Sequence, residues 1–185
     1  ESLGVPLVIM EPIKGGSLAN FSEDINDRFH KMDPDRSVAS YALRWVGSHP
    51  NVKVILSGMS TMDQVEDNLK TFQDFSPLSE AEEKEIESIV TELRSRVQNG
   101  CTGCRYCMPC PAGVNIPGNF KVWNNYHMYR TYDHVKWSWE KELKEEEKAK
   151  NCIKCGKCET LCPQKLSIRD NLVQVQKDLD ERIFK

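Results

Sequence analysis

The chain has 185 residues, 39% hydrophobic and 29% charged, with a formal net charge of −3. This suits one ordinary soluble domain or two small ones. With no run of about 18 apolar residues and no leader of basic, apolar and small residues, it points away from membrane and export and toward the cytoplasm.

Charge is uneven. Residues 1–100 hold 10 basic and 17 acidic side chains, and residues 101–185 hold 15 and 11. The basic residues of the second part are dispersed and interrupted by Glu145, Glu146 and Glu147, which argues against a nucleic-acid surface. The two parts thus carry −7 and +4.

Taken in chain order, residues 5–11 are a short apolar run before Lys14-Gly15-Gly16 and read as a buried strand entering a glycine loop. A polar connection is expected at 20–32. Asp33 with Pro34 then suits the start of a helix whose Val38, Tyr41, Ala42, Trp45 and Val46 form one apolar face. Val52 to Leu56 reads as a second buried strand. Thr61 and Gln64 form a capping box for a helix with Val65, Leu69 and Phe72 turned inward. Alternating strand and helix implies a parallel sheet with right-handed crossovers, and two such strands need cover from elsewhere.

Ser79 and Glu82 form another capping box, followed by Ile86, Ile89, Val90, Leu93 and Val97 at helical spacing and by Asn99-Gly100 as a stop. This predicts a linking helix within 79–100. The stretch 120–150 lacks strand-like alternation and reads as helical, and a last helix near Asp170 presents Leu172, Val175 and Leu179 on one face.

All eight Cys lie between 101 and 162. Cys152, Cys155, Cys158, Cys162 and Pro163 follow the ferredoxin spacing CxxCxxCxxxCP. Three thiols at three-residue steps let one tight loop wrap a cubane corner, each sulfur on a different iron. Cys101, Cys104, Cys107 and Cys110, with Pro111, repeat the first three spacings with one residue fewer before the last Cys. Two 4Fe-4S clusters are the first expectation. The alternatives are a zinc-bound interaction module, which would leave a third Cys unused in each group, and disulfides, which belong to short secreted chains. His127 and His134 are not needed as ligands. Phe120, Trp123, Tyr126, Tyr129, Tyr132, Trp137 and Trp139 are either shields for the clusters or plain core.

The runs Val-Ile-Met-Glu-Pro-Ile-Lys-Gly-Gly at 8–16, Ser-Val-Ala-Ser-Tyr-Ala-Leu-Arg-Trp at 37–45 and Val-Ile-Leu-Ser-Gly-Met-Ser at 54–60, with Gln64 to Asn68, resemble the end of aldo/keto reductases. With the cysteine groups, the chain resembles the branch of that family carrying a C-terminal ferredoxin-type domain. The resemblance implies an α/β plus α chain. Residues 1–78 would be the last two strand-helix units of a (β/α)8 barrel, 79–100 a linking helix, and 101–185 a mainly helical two-cluster ferredoxin-like domain.

It also implies nicotinamide dinucleotide contacts at Glu11, Pro12, Ile13 and Gly15 and at Gly58, Met59, Thr61, Gln64, Asp67 and Asn68. Loops and helix starts at the C-terminal ends of barrel strands suit phosphate. Members preferring the phosphorylated cofactor commonly place Lys or Arg where Gly58 and Gln64 stand, so NADH and NADPH both stay open. The family's catalytic Asp, Tyr, Lys and His belong to earlier strands, so a missing N-terminal barrel portion is an expected partner, with a small carbonyl or alcohol as substrate. Two-cluster ferredoxins exchange their fourth ligands. By that resemblance Cys101, Cys104 and Cys107 share a cluster with Cys162, and Cys152, Cys155 and Cys158 share the other with Cys110; pairing within each run is the alternative. The function expected is electron transfer between an external electron carrier and a nicotinamide-dependent site, with a structural or oxygen- and iron-sensing cluster module as the rival.

Overall fold

The computed structural model describes residues 2–183, with the side chains at 133, 134 and 181–183 outside that description; His134 is among the latter. The chain divides into two compact units, 1–91 and 92–185.

In the first unit, strands β1 (Leu7–Ile9) and β2 (Val52–Ile55) pair in parallel, Leu7 beside Val52 and Ile9 beside Ile55. Both strands end at the same sheet edge, where the Leu56 N–H donates to the Ile9 carbonyl at 2.9 Å. The expected burial of both strands is corrected: Leu7, Val8, Val54 and Leu56 are all exposed. Among the described residues the sheet has only two strands, too few to cover its own faces.

The polar connection expected at 20–32 is instead helix α1 (Glu23–Met32), which buries Ile25 and Phe29. Asp33 closes that helix rather than opening the next. Its carboxylate accepts the Asp35 N–H at 3.0 Å and pairs with Arg36 at 3.0 Å, so residues 33–36 form a turn. Helix α2 (Val38–Gly47) is capped by Ser37, whose hydroxyl accepts the Ser40 N–H. Its buried face carries Val38, Tyr41, Leu43, Arg44 and Val46, while Trp45 lies outside it, 52% exposed.

Helix α3 (Met62–Gln73) starts at the expected Thr61–Gln64 capping box. Leu69 and Phe72, expected inward, are exposed, because α3 reaches α2 but has little else to pack against. Helix α4 (Glu80–Ser95) starts at the Ser79–Glu82 box, where the Ser79 N–H and hydroxyl both donate to the Glu82 carboxylate. Ile89 and Leu93 are its most buried residues.

The second unit is helical: α5 (Ile116–Tyr129), α6 (Tyr132–Trp137), α7 (Lys157–Leu161) and α8 (Ile168–Gln176), with short tighter or wider turns between 138 and 151 and at Lys177–Ile183. Its core is built from Val114, Ile116, Phe120, Trp123, Trp139 and Leu143, closed by Ile168, Leu172, Val175 and Leu179. The large rings are anchored by their polar edges. The indole N–H of Trp123 donates to Asp178 at 2.9 Å and that of Trp139 to Asp180 at 2.6 Å, as buried indoles require. No helix among the described residues is long and apolar enough to cross a membrane.

Candidate functional site

Each cysteine run of the second unit forms a loop that a short turn joins to a helix, and the two copies match from around the second Cys to the residue after the third. The residues flanking the second Cys of each run are left-handed: Gly103 (φ 71°) and Arg105 (φ 65°) around Cys104, Lys154 (φ 55°) and Gly156 (φ 81°) around Cys155. A chain bent this way twice within three residues turns successive side chains toward one space. The residue after the third Cys donates its N–H backward in both loops, Met108 to Arg105 at 2.9 Å and Glu159 to Gly156 at 3.1 Å. Helix α5 or α8 then follows, opened by Asn115 or Ser167.

The loops enclose two neighbouring hollows. One is lined by Cys101, Cys104, Cys107 and Cys162 with Ile116, Phe120 and Ile168. The other is lined by Cys107, Cys110, Cys152, Cys155 and Cys158, with Ile116, Leu172 and Arg169 around it. Each hollow thus draws on both runs. Cys101, Cys107, Cys110, Cys152, Cys158 and Cys162 pack against the core, whereas Cys104 and Cys155 are exposed.

Burial pushes the Cys107 thiol up. It also pushes Cys158 up to about 11, with Glu159 and Cys152 adding to the effect. Burial thus favours the protonated form of these two thiols, and loading a thiophilic metal there releases protons. Among the described residues no three His, Cys, Asp or Glu side chains are grouped to hold a single ion; the thiols instead stand around the walls of the hollows.

Several supports gave no warning in the sequence. Asn99, read only as a helix stop, is buried and accepts the Cys101 N–H at 2.9 Å. Asn124 on α5 holds that corner: its Oδ1 accepts the N–H groups of Gln98 and Asn99 at 3.1 and 3.0 Å, and its Nδ2 donates to the Asn99 carbonyl at 2.7 Å. Arg169 lies over Gly156 and forks onto Glu159, with Nε and Nη2 at 2.8 and 2.7 Å. Of the seven aromatic residues singled out, Phe120 lines a hollow, while Trp123 and Trp139 belong to the core and Tyr132 and Trp137 are exposed. His127 stacks edge-on against Trp123 and Tyr126, 3.5 Å from Asp178.

The residues expected to contact a nicotinamide cofactor lie in the first unit, in the segments that follow the two parallel strands. Glu11 (φ 51°) and Gly15 (φ 62°) are left-handed, Pro12 is buried and Ile13 half-buried. Gly58, Met59, Thr61 and Gln64 are exposed ahead of and within the first turn of α3, and Gln64 accepts the Ser60 and Thr61 N–H groups at 2.7 and 3.3 Å. Asp67 and Asn68 are engaged within the chain: Asp67 accepts the Ser37 hydroxyl at 2.6 Å, and Asn68 donates to Ser57 at 3.1 Å.

The second unit sets two thiol-lined hollows side by side, and thiols in this number and arrangement are a donor set suited to iron-sulfur clusters. Residues 1–91 match the model of the aldo/keto reductase family and residues 100–166 match that of the 4Fe-4S dicluster domain. Comparison with curated proteins and with solved structures finds no match.

Proposed function

We propose that the second unit holds two 4Fe-4S clusters with exchanged fourth ligands and passes single electrons to or from a nicotinamide-dependent carbonyl or alcohol site built on the first unit. The observation that carries this is the sharing of thiols. Eight Cys line two hollows, and only Cys107 borders both. Counting Cys107 with Cys101, Cys104 and Cys162 leaves Cys110, Cys152, Cys155 and Cys158, four thiolates for each cubane. A zinc module would ask four thiols to converge on one ion, and the hollows do not favour that arrangement.

A cubane supplies a one-electron store. The chain's residues do the rest: the left-handed loops present the thiols, Asn99 holds the first of them through its N–H, and Ile116 and Phe120 keep the inner walls apolar. Because Cys107 and Ile116 line both hollows, the two sites are close neighbours, as electron passage between them needs.

The nicotinamide part rests on the loops after β1 and β2, which lie at one sheet edge beside the start of α3. Glu11, Pro12, Ile13, Gly15, Gly58, Met59, Thr61 and Gln64 would line the cofactor, with Asp67 and Asn68 bracing α2 and the loop after β2. The catalytic Asp, Tyr, Lys and His would come from the other strands of a (β/α)8 barrel.

A second reading, clusters as structural or sensing elements, is favoured by six thiols packing against the core, since metal binding can supply folding free energy. Anaerobic purification with iron, sulfide and zinc quantified, then a redox titration followed by electron paramagnetic resonance, separates the readings. Two reversible iron centres support electron transfer, redox-silent iron supports the structural role, and zinc without sulfide overturns both.

A further inference from the structure

A groove of about 250 Å³ opens beside Cys152, lined by Ala149, Leu172 and Val173 and by Lys150, Lys154 and Lys177. Its charged lining residues are lysines alone. Lys150 is paired with Glu145, whereas Lys154 and Lys177 make no ion pair among the described residues. Two large apolar side chains stand exposed there, Val173 in the groove and Ile153 next to Cys152, at 43% and 66%. Cys155, which lines the hollow behind, is exposed too.

Resting on the electron-transfer reading above, we infer that this groove docks a small acidic one-electron carrier protein and makes the later hollow the port of the unit. An apolar centre with a charged rim is the anatomy of a transient protein interface. A basic rim, Lys154 and Lys177 with Lys150 offset by Glu145, steers and orients a negatively charged partner more than it tightens the complex, which suits an encounter that must release after one transfer. Carboxylates of the carrier meet Lys154 and Lys177, and an apolar side chain covers Val173, bringing the carrier's centre toward Cys152 and Cys155. The encounter moves one electron between the carrier's centre and the group held behind those thiols. The carrier is oxidised as that group is reduced, and no bond or proton is exchanged.

The groove bordered by Cys101, Asn99 and Lys121 is the internal control. The test takes the full chain, purified anaerobically with its iron, and titrates it calorimetrically with an acidic [2Fe-2S] ferredoxin at low and high salt; stopped-flow mixing with the reduced ferredoxin follows. Affinity should fall as salt rises. The double variant Val173→Asp/Lys177→Glu should weaken binding at least tenfold and slow reduction by a similar factor, with iron content and resonance spectrum unchanged, whereas Lys121→Glu should alter neither. Loss of binding with Lys121→Glu alone overturns the assignment. So does absence of binding at low salt, or a dimer of the chain that the double variant dissociates. If dithionite fails to reduce the iron centres, the electron-transfer reading fails, while the binding titration, which needs no reduction, still decides the docking face.

Discussion

Gly113 and Lys165 occupy the same place in two copies of one loop. Each is three residues after the last Cys of its run, each is left-handed with φ of 76° and 50°, and each donates its N–H back to that Cys carbonyl, at 3.0 and 3.1 Å. One of the two carries a side chain in a backbone region where a Cβ costs about 1 kcal/mol or more.

The two positions therefore respond in opposite senses. Gly113→Ala should destabilise the second unit by about 1 kcal/mol through strain alone, since a Cβ there meets nothing closer than the Glu146 carbonyl at 3.7 Å. Lys165→Gly should leave stability unchanged or raise it by up to about 1 kcal/mol. Anaerobic urea unfolding of the iron-loaded chain reads both, and a destabilising Lys165→Gly would contradict the matched-loop account.

Arg44 gives the first unit its strongest polar anchor. Its guanidinium is buried, grips both oxygens of Glu82 at 2.6 and 3.0 Å, and donates to the Ser76 and Pro77 carbonyls at 2.9 and 3.0 Å. Arg44→Ala should cost about 3–5 kcal/mol, because it leaves a largely buried carboxylate unpaired. Arg44→Ala/Glu82→Ala together should cost less than the sum of the two single changes.

The same pair sets an acid limit. Burial alone pushes the Glu82 carboxyl up, but hydrogen bonds from Arg44 and Ser79 outweigh it and hold the group at about 2, against an ordinary 4.5. A depressed folded value contributes stability that is complete above the unfolded value and lost as pH falls through the folded one. About 2–3 kcal/mol should disappear between about pH 4.5 and pH 2. Glu82→Gln should flatten that part of the pH profile, and an unchanged acid limb would contradict the assignment.

Leu7, Val8, Met10, Val54 and Leu56 expose apolar surface along the two strands, and Leu69 and Phe72 add more on α3. A patch of that extent seeks cover. The isolated chain should self-associate or bind a hydrophobic dye, and Val8→Lys/Val54→Lys should reduce either effect. Sedimentation equilibrium with a clean monomer at tens of micromolar, and no dye binding, would count against it.

How far these features were readable in the sequence depends on what each needed. The Thr61–Gln64 and Ser79–Glu82 boxes, and the face of Leu172, Val175 and Leu179, are local patterns and appear where expected. The charged residues of α1 hide its apolar face from a reading by composition, although Phe21, Ile25 and Phe29 recur every four positions and are all buried. Asp33-Pro34 has the composition of a helix start, but the Asp33 carboxylate is taken by Asp35 and Arg36 one turn too early. Leu69 and Phe72 form an apolar stripe that stays exposed even though the Phe72 ring stacks on Phe75 at 5.9 Å, which periodicity alone does not reveal. Cysteine spacing indicated which thiols could act. Their gathering around two hollows depends on residues some forty to sixty apart, while Asn99, Asn124 and Arg169 act over 2, 25 and 10 residues through loop geometry that no spacing motif records.

Removing the iron should act on one unit. With six thiols packed against the core, anaerobic chelation should loosen α5 and α8 and raise amide exchange across 101–176, while α1 and α2 keep their protection. Equal exchange in both units would contradict a cluster-supported second unit.

The exchange of ligands is tested most directly by comparing Cys110→Ser with Cys104→Ser and Cys155→Ser in anaerobically reduced protein, reading each cluster by electron paramagnetic resonance and by iron and sulfide content. Cys110 lines the hollow of the later triad, so its serine variant should reproduce the Cys155→Ser defect and leave the cluster of Cys101, Cys104 and Cys107 intact. A Cys110→Ser spectrum that matches Cys104→Ser instead would show that each run holds its own cluster and would contradict the account.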